Sequence, residues 1–166
     1  MKREACAECG KEARVITGNY RFDEVGVPVL LLNVQLVECG ECGIAEPIIS
    51  DLNGLMHTIA FAVVAKPCKL NGSDVKFLRK YIGVNGEEFA KLIRIQPETL
   101  SRWENGQQEI GKNTDRLIRF VVVSKSADLR NEMEEFLKKY RQLTDCDCPR
   151  KSQLKIDPAT LQYEYA

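Results

Sequence analysis

The stretch "EEFAKLIRIQPETLSRWENG", Glu87 to Gly106, decides how this chain is read. It is helix-forming as far as "RIQP", stops, and restarts at once with "ETLSRWE". The interruption is too short to change domain and long enough to turn a second helix across the first. Upstream, Asn85 with Glu88 three positions on is a capping-box arrangement that opens the first helix. Phe89, Leu92 and Ile93 supply its inward face, and Ala90 is small enough to let another helix cross closely. Arg94 and Ile95 make the turn. Pro97 then takes the first position of the next helix, where its missing N–H costs nothing. Leu100 and Trp103 form that helix's apolar stripe, and Gly106 ends it.

Working outward, "SDVKFLRKYIG" reads as a short helix capped by Ser73 and stopped by Gly83. "NTDRLIRFVVVSK" reads as a fourth helix with Leu117, Ile118, Val121 and Val122 available to a core. Phe77, Tyr81, Phe89, Leu92, Leu100, Trp103, Leu117 and Ile118 then make one core, so a fragment beginning near Lys69 is expected to fold alone. With Leu100 and Trp103 turned inward, Glu98, Thr99, Ser101 and Arg102 face out or flank. The start of such a helix can enter a DNA major groove. Arg102 suits guanine O6 and N7, Glu98 suits cytosine N4, and Thr99 can touch a thymine methyl. Lys91, Lys112 and the N–H groups opening the helices at Asn85 and Gln96 can hold phosphates. A plain helical hairpin with a solvated charged face is the alternative that periodicity alone leaves open.

The residues carry more than periodicity. "GEEFAKLIRIQPETLSRWENG" resembles the Cro/cI (XRE-type) helix-turn-helix family, whose recognition helix ends S-R-W-E-x-G. The resemblance covers Ser73 to Lys125 and implies a lambda-repressor-like all-α domain. That family usually has glycine in the turn where this chain has Arg94. A non-glycine residue in left-handed geometry costs about 1 kcal/mol.

The first third of the chain carries different chemistry. "CAECGK" and "CGECGI" supply Cys6, Cys9, Cys39 and Cys42 as two C-x-x-C pairs, each followed by glycine. A tight turn brings both sulfurs of such a pair to one side, and Gly10 and Gly43 suit the positive φ that the turn requires. Two such knuckles complete a four-sulfur tetrahedral site. "RVITGNYRFDEVG" and "VPVLLLNVQLVE" between them read as a small sheet of two or three strands, giving a zinc-ribbon-like module. Iron in a rubredoxin-like site is the alternative, since thiolates suit both metals. Only Tyr20 and Phe22 are available as an aromatic core between the knuckles, which favours zinc, one ion per chain. Cys68 stands alone, and Cys146 and Cys148 in "CDC" read as surface thiols. His57, the single histidine, reads as helix surface or core.

"ISDLNGLMHTIAFAVVAK" reads as a helix of about fifteen residues, capped by Ser50 or Asp51 and weakened by Gly54. "KPCKLNGS" is the expected boundary. The expectation is α+β: residues 1–66 as a ribbon-like metal domain plus helix, 67–125 as the helix-turn-helix domain, and 126–166 as a C-terminal helix and tail. In the tail, Leu129, Met133, Phe136, Tyr140 and Leu143 recur at spacings of 4, 3, 4 and 3. That seam either packs back on the helices or forms a dimer contact. "CDCPRKSQLKIDPATLQYEYA" reads as irregular, an ordered tail in part or a partner-bound strand.

Charge is balanced overall, 24 basic against 24 acidic side chains, but uneven along the chain. Residues 1–66 carry 6 basic and 9 acidic, and residues 67–123 carry 10 and 7. Any nucleic-acid surface therefore belongs in the middle. No apolar run reaches the roughly 18–20 residues of a membrane span, and "MKREACAECGKEAR" lacks a signal-peptide core, so a cytoplasmic protein with reduced cysteines is expected.

The two halves together resemble the MqsA/YgiT-type family of bacterial antitoxin-regulators. That resemblance implies an N-terminal zinc domain that binds an RNA-cleaving toxin and a C-terminal domain that dimerises and represses an operon. Aligned on "SRWE", the family's base-reading positions fall on Glu98 and Arg102, with Glu98 in place of an expected asparagine. The expected function is a homodimeric, sequence-specific repressor with a structural four-cysteine zinc module. An iron-based, redox-responsive regulator is the alternative. An enzyme is not expected: there is no phosphate-binding glycine loop and no Ser/His/Asp set, and a closed four-sulfur site has no open coordination position.

Overall fold

A computed structural model describes residues 3–143 and 153–165, with side chains from Ala5 onward. The fold is mixed α+β, with one six-stranded sheet and seven helices among the described residues. The strands are β1 (Arg3–Ala5), β2 (Glu12–Phe22), β3 (Val29–Glu38), β4 (Ala45–Pro47), β5 (Leu154–Asp157) and β6 (Gln162–Tyr165). The helices are α1 (Leu52–Val64), α2 (Gly72–Tyr81), α3 (Gly86–Leu92), α4 (Pro97–Glu104), α5 (Lys112–Lys125), α6 (Ala127–Asn131) and α7 (Met133–Tyr140).

Two compact units divide the chain. One gathers the chain up to Asp23, Pro28–Leu55 and the segment from Gln153 onward. In it the long β2 and β3 pair antiparallel from Arg14↔Glu38 to Phe22↔Val29. β1 flanks β2, and β4 flanks β3 over Leu36–Glu38. The opposite end of that β3 edge, Val29–Leu31, is taken by the C-terminal segment. β5 lies parallel to β3, with Leu154 opposite Val29 and Ile156 opposite Leu31, and β6 returns antiparallel along β5. Val29, Leu31, Val34, Leu36, Leu154 and Ile156 are all buried. The expectation of an irregular C-terminal tail is thus corrected over residues 154–165: alternation of Leu154 and Ile156 with Lys155 and Asp157 gives a strand that completes its own chain's sheet. Cys146 and Cys148 lie outside the described residues.

The second unit holds Glu24–Val27 and Met56–Ser152, of which residues 144–152 are not described. Most of α1 belongs here. Thr58 through Ala65 are buried without a break, so this stretch is a core helix rather than an appendage of the sheet. Asp51 Oδ1 accepts from the Gly54 N–H at 2.8 Å, as expected for a cap. α2 begins two residues earlier than a Ser73 cap implies. Asn71, not Ser73, caps it: Asn71 Oδ1 accepts from Asp74 N–H while Asp74 Oδ2 accepts from Asn71 N–H, both at 2.9 Å.

A buried polar hub stitches the α1–α2 connection to α5. Arg119 is fully buried, and every guanidinium donor has a partner. It donates to the carbonyls of Val64, Lys66 and Cys68 at 2.6–2.8 Å and to both carboxylate oxygens of Asp115. Asp115 Oδ1 also accepts from Leu70 N–H at 2.7 Å, and Lys66 Nζ pairs with buried Asp74 at 2.8 Å. The expected break before residue 67 therefore falls inside a hydrogen-bonded hub. The eight-residue core list is corrected at Leu117, which is 43% exposed, while Ile118, Val122 and Val123 are buried beside Arg119. Beyond α5, Glu132 separates α6 from α7, and Leu129 and Phe136 are fully buried in this unit. The seam packs back on its own chain at those two positions. Cys68 is disulfide-bonded, which corrects both its reading as an isolated thiol and the expectation of reduced cysteines at this position.

Candidate metal centre and outward helix pair

The sheet register builds the cysteine cluster. β1 ends at Ala5 opposite Glu12, and β3 ends at Glu38 opposite Ala45. Since Arg14 pairs with Glu38, both hairpin turns sit at the same end of the sheet. The turns are near copies. Cys6 N–H donates to Lys11 O at 2.8 Å and Gly10 N–H to Cys6 O at 2.9 Å; Cys39 N–H donates to Ile44 O at 2.9 Å and Gly43 N–H to Cys39 O at 3.0 Å. Gly10 and Gly43 adopt φ of +71° and +73°, the left-handed values their positions were expected to need.

The four sulfurs lie within 4.8 Å of one another. Cys6 Sγ is 3.6 Å from Cys42 Sγ, and Cys9 Sγ is 3.6 Å from Cys39 Sγ. Bonds of about 2.3 Å to one tetrahedral ion place neighbouring sulfurs about 3.8 Å apart, so the cluster fits a single thiolate-bound metal. Its spacing suits zinc and iron alike. Cys6 and Cys39 are buried against Ala13 and Val37, and Cys9 and Cys42 are exposed. Lys11 Nζ bridges the turns to Glu41 at 2.7 Å, an exposed pair of little energetic weight. As thiols, Cys39 and Cys42 ionise differently. Backbone N–H groups of Cys42 and Glu41 bring Cys39 down to about 6. At Cys42 the Ile44 N–H favours the thiolate, but hydrogen bonding with Cys39, and with Cys6 and Cys9, outweighs it and pushes the thiol up to about 12.

In the second unit, α3 and α4 are joined by four residues, and local chemistry explains each boundary. The Asn85–Glu88 capping box is formed in both directions, at 2.9 and 3.2 Å. Gln96 precedes α4 without a side-chain cap, and Pro97 occupies its first turn. Phe89, Ala90, Ile93, Leu100 and Trp103 are buried, and Leu92 is half-buried. Arg94 adopts φ +55° in the turn, so the left-handed conformation expected there is taken by an arginine. Glu98, Ser101 and Arg102 are exposed on α4, and Thr99 is half-buried. Lys91 is exposed near the end of α3, and Lys112 is exposed as the first residue of α5.

Two supports of α4 escaped sequence reasoning. Arg79 of α2 grips Glu104 of α4 through two bonds, Nε to Oε1 at 2.7 Å and a terminal nitrogen to Oε2 at 3.0 Å, and adds a third to Val84 O. Opposite charges 25 residues apart leave no periodic signal. Gly72 is the other: a Cβ there would run into the Trp103 carbonyl oxygen. His57 is half-buried with Nε2 3.3 Å from Glu132 and lies in no cluster of metal-ligating groups among the described residues.

No family model matches the chain, and neither a curated protein nor a solved structure matches it. No helix among the described residues is long and apolar enough to cross a membrane.

Proposed function

We propose that this chain is a sequence-specific DNA-binding repressor in which α3 and α4 act as a helix-turn-helix. The observation that carries the reading is the division of α4: Leu100 and Trp103 are buried, while Glu98, Ser101 and Arg102 stand exposed on a helix braced by the Arg79–Glu104 pair. A rigid short helix with an outward arginine suits base reading in a major groove. In this reading Arg102 and Glu98 contact base edges, Thr99 and Ser101 flank them, and Gln96, Lys91 and Lys112 contact the backbone. Cys6, Cys9, Cys39 and Cys42 hold one structural zinc, which shapes the small sheet and takes no part in catalysis.

The resemblance to antitoxin-regulators supports extending the proposal. The metal-bearing unit would bind a protein toxin, and the chain would act in the cytoplasm as a homodimer on two half-sites about one helical turn apart. Leu129 and Phe136 are already consumed within the chain, so a dimer contact would draw on other residues. Leu117, Phe120 and Leu137 are the exposed large apolar side chains of α5 and α7.

The test is selection of bound duplexes from a random-sequence DNA pool by the zinc-loaded full chain. The proposal expects enrichment of one motif, with an inverted repeat if the chain dimerises. Recovery of unenriched sequences after repeated rounds would refute sequence-specific binding.

A further inference from the structure

Three helices of the second unit end alike. α2 closes with Gly83 N–H to Lys80 O at 3.0 Å and Val84 N–H to Arg79 O at 3.3 Å. α3 closes with Arg94 N–H to Lys91 O at 3.3 Å and Ile95 N–H to Ala90 O at 3.0 Å. α4 closes with Gly106 N–H to Trp103 O at 2.9 Å and Gln107 N–H to Arg102 O at 2.8 Å. This paired closure requires left-handed φ at the first residue past the cap. The values are +72° at Gly83, +68° at Gly106 and +55° at Arg94.

Glycine adopts that conformation without steric cost, and arginine does not. Two other non-glycine residues among those described share it, Asn33 and Leu161. Asn33 is of a type whose short polar side chain tolerates it. Leu161 is half-buried and packs against the Gly54 backbone, 3.0 Å from where a Cβ would stand. Arg94 has no such return inside the fold. Its side chain is exposed, and no hydrogen bond or ion pair ties the guanidinium to any described residue.

We infer that Arg94 is a contact to the phosphate backbone of duplex DNA, a conclusion that rests on the DNA-binding reading above. Strain kept without internal compensation points to a use at the surface. Pro97 opens α4 three residues later, so Arg94 Cα lies within about 10 Å of the start of the base-reading helix. A major groove about 12 Å wide is bordered on both sides by phosphates. A guanidinium at that distance can meet the border bidentately, and exposed Lys91 adds charge at the same end of α3.

A backbone contact is independent of sequence, so the test needs no operator. Fluorescence anisotropy would follow the full chain on a labelled random-sequence duplex of about 30 base pairs at several salt concentrations. Arg94→Gly should bind about 3–10-fold more weakly at low salt and flatten the log K against log salt slope by about one. Its Tm should equal the parent's or exceed it by up to about 4 °C, since strain relief opposes glycine's greater unfolded freedom. Arg94→Lys should retain most of the slope. Unchanged affinity and slope in Arg94→Gly would overturn the inference, as would weaker binding that merely tracks a lowered Tm. If the parent chain binds no duplex at any salt, the DNA-binding reading itself fails and this inference falls with it.

Discussion

Gly72 sits where backbone meets backbone. A methyl group there would strike the Trp103 carbonyl and approach Glu104 Cα, neither of which can swing aside. Gly72→Ala should therefore push α2 off α4 and cost about 1–3 kcal/mol, lowering Tm by at least about 3 °C in thermal denaturation. An unchanged melt would show that the two helices have slack. In the sequence this glycine reads as a linker residue, because the close approach is made with residues 31 and 32 positions away. The knuckle glycines were legible for the opposite reason: their strain is local to a six-residue turn. The cysteines also carry a pH signature. Metal binds thiolates, and two of the thiols resist losing a proton: Cys42 is pushed up to about 12 and Cys9 is also raised, although the Lys11 N–H opposes the rise. Cys39, brought down to about 6, gives up its proton most readily. Loading must therefore displace protons, so affinity rises with pH and falls as pH drops through the range where Cys39 regains its proton. A chromophoric zinc indicator titrated at a series of pH values should show release on the acid side. Loading that is flat with pH would argue that the four thiols are not the ligands.

At the scale of elements, α1 is the piece whose role sequence placed least well. Its all-round apolar surface is shared by a membrane-side helix, a ribbon appendage and a core helix, and only packing distinguishes them. Placing it in the second unit changes what a fragment needs. A chain starting at Lys69 loses the Cys68 disulfide, the carbonyls of Val64, Lys66 and Cys68, which accept three of Arg119's five donors, and the Lys66 partner of Asp74. Each buried orphan costs about 1–3 kcal/mol, against a total stability of about 5–15 kcal/mol. The expectation that such a fragment folds is reversed. Residues 69–152 should lack a cooperative thermal transition, whereas residues 51–152, which keep α1 and its cap, should melt cooperatively by circular dichroism. Cooperative melting of both would show that the hub is dispensable. The boundaries of α3 and α4 were legible because the capping box, Pro97 and Gly106 act within one turn of the residues they govern. β5 was not, because it pairs in parallel with β3 across more than a hundred residues of sequence.

At the scale of the whole molecule, the sulfur cluster lies in one unit and the α3–α4 pair in the other. Neither Leu100, Trp103 nor the Arg119 hub includes a metal ligand. If the four cysteines hold a metal, as proposed, strong chelation should loosen the sheet of the first unit, while the helical signal at 222 nm and its melting transition persist. Collapse of both signals together would show that the units do not fold separately. The central claim, that α4 reads DNA bases through Arg102, is tested most directly by a base-substitution scan of the enriched duplex with the parent chain, Arg102→Ala and Lys112→Ala. The account predicts that Arg102→Ala relaxes discrimination at one base pair by about 1–3 kcal/mol, while Lys112→Ala weakens every sequence alike and reduces the salt slope by about one. A discrimination profile for Arg102→Ala that matches the parent's at every position would contradict it.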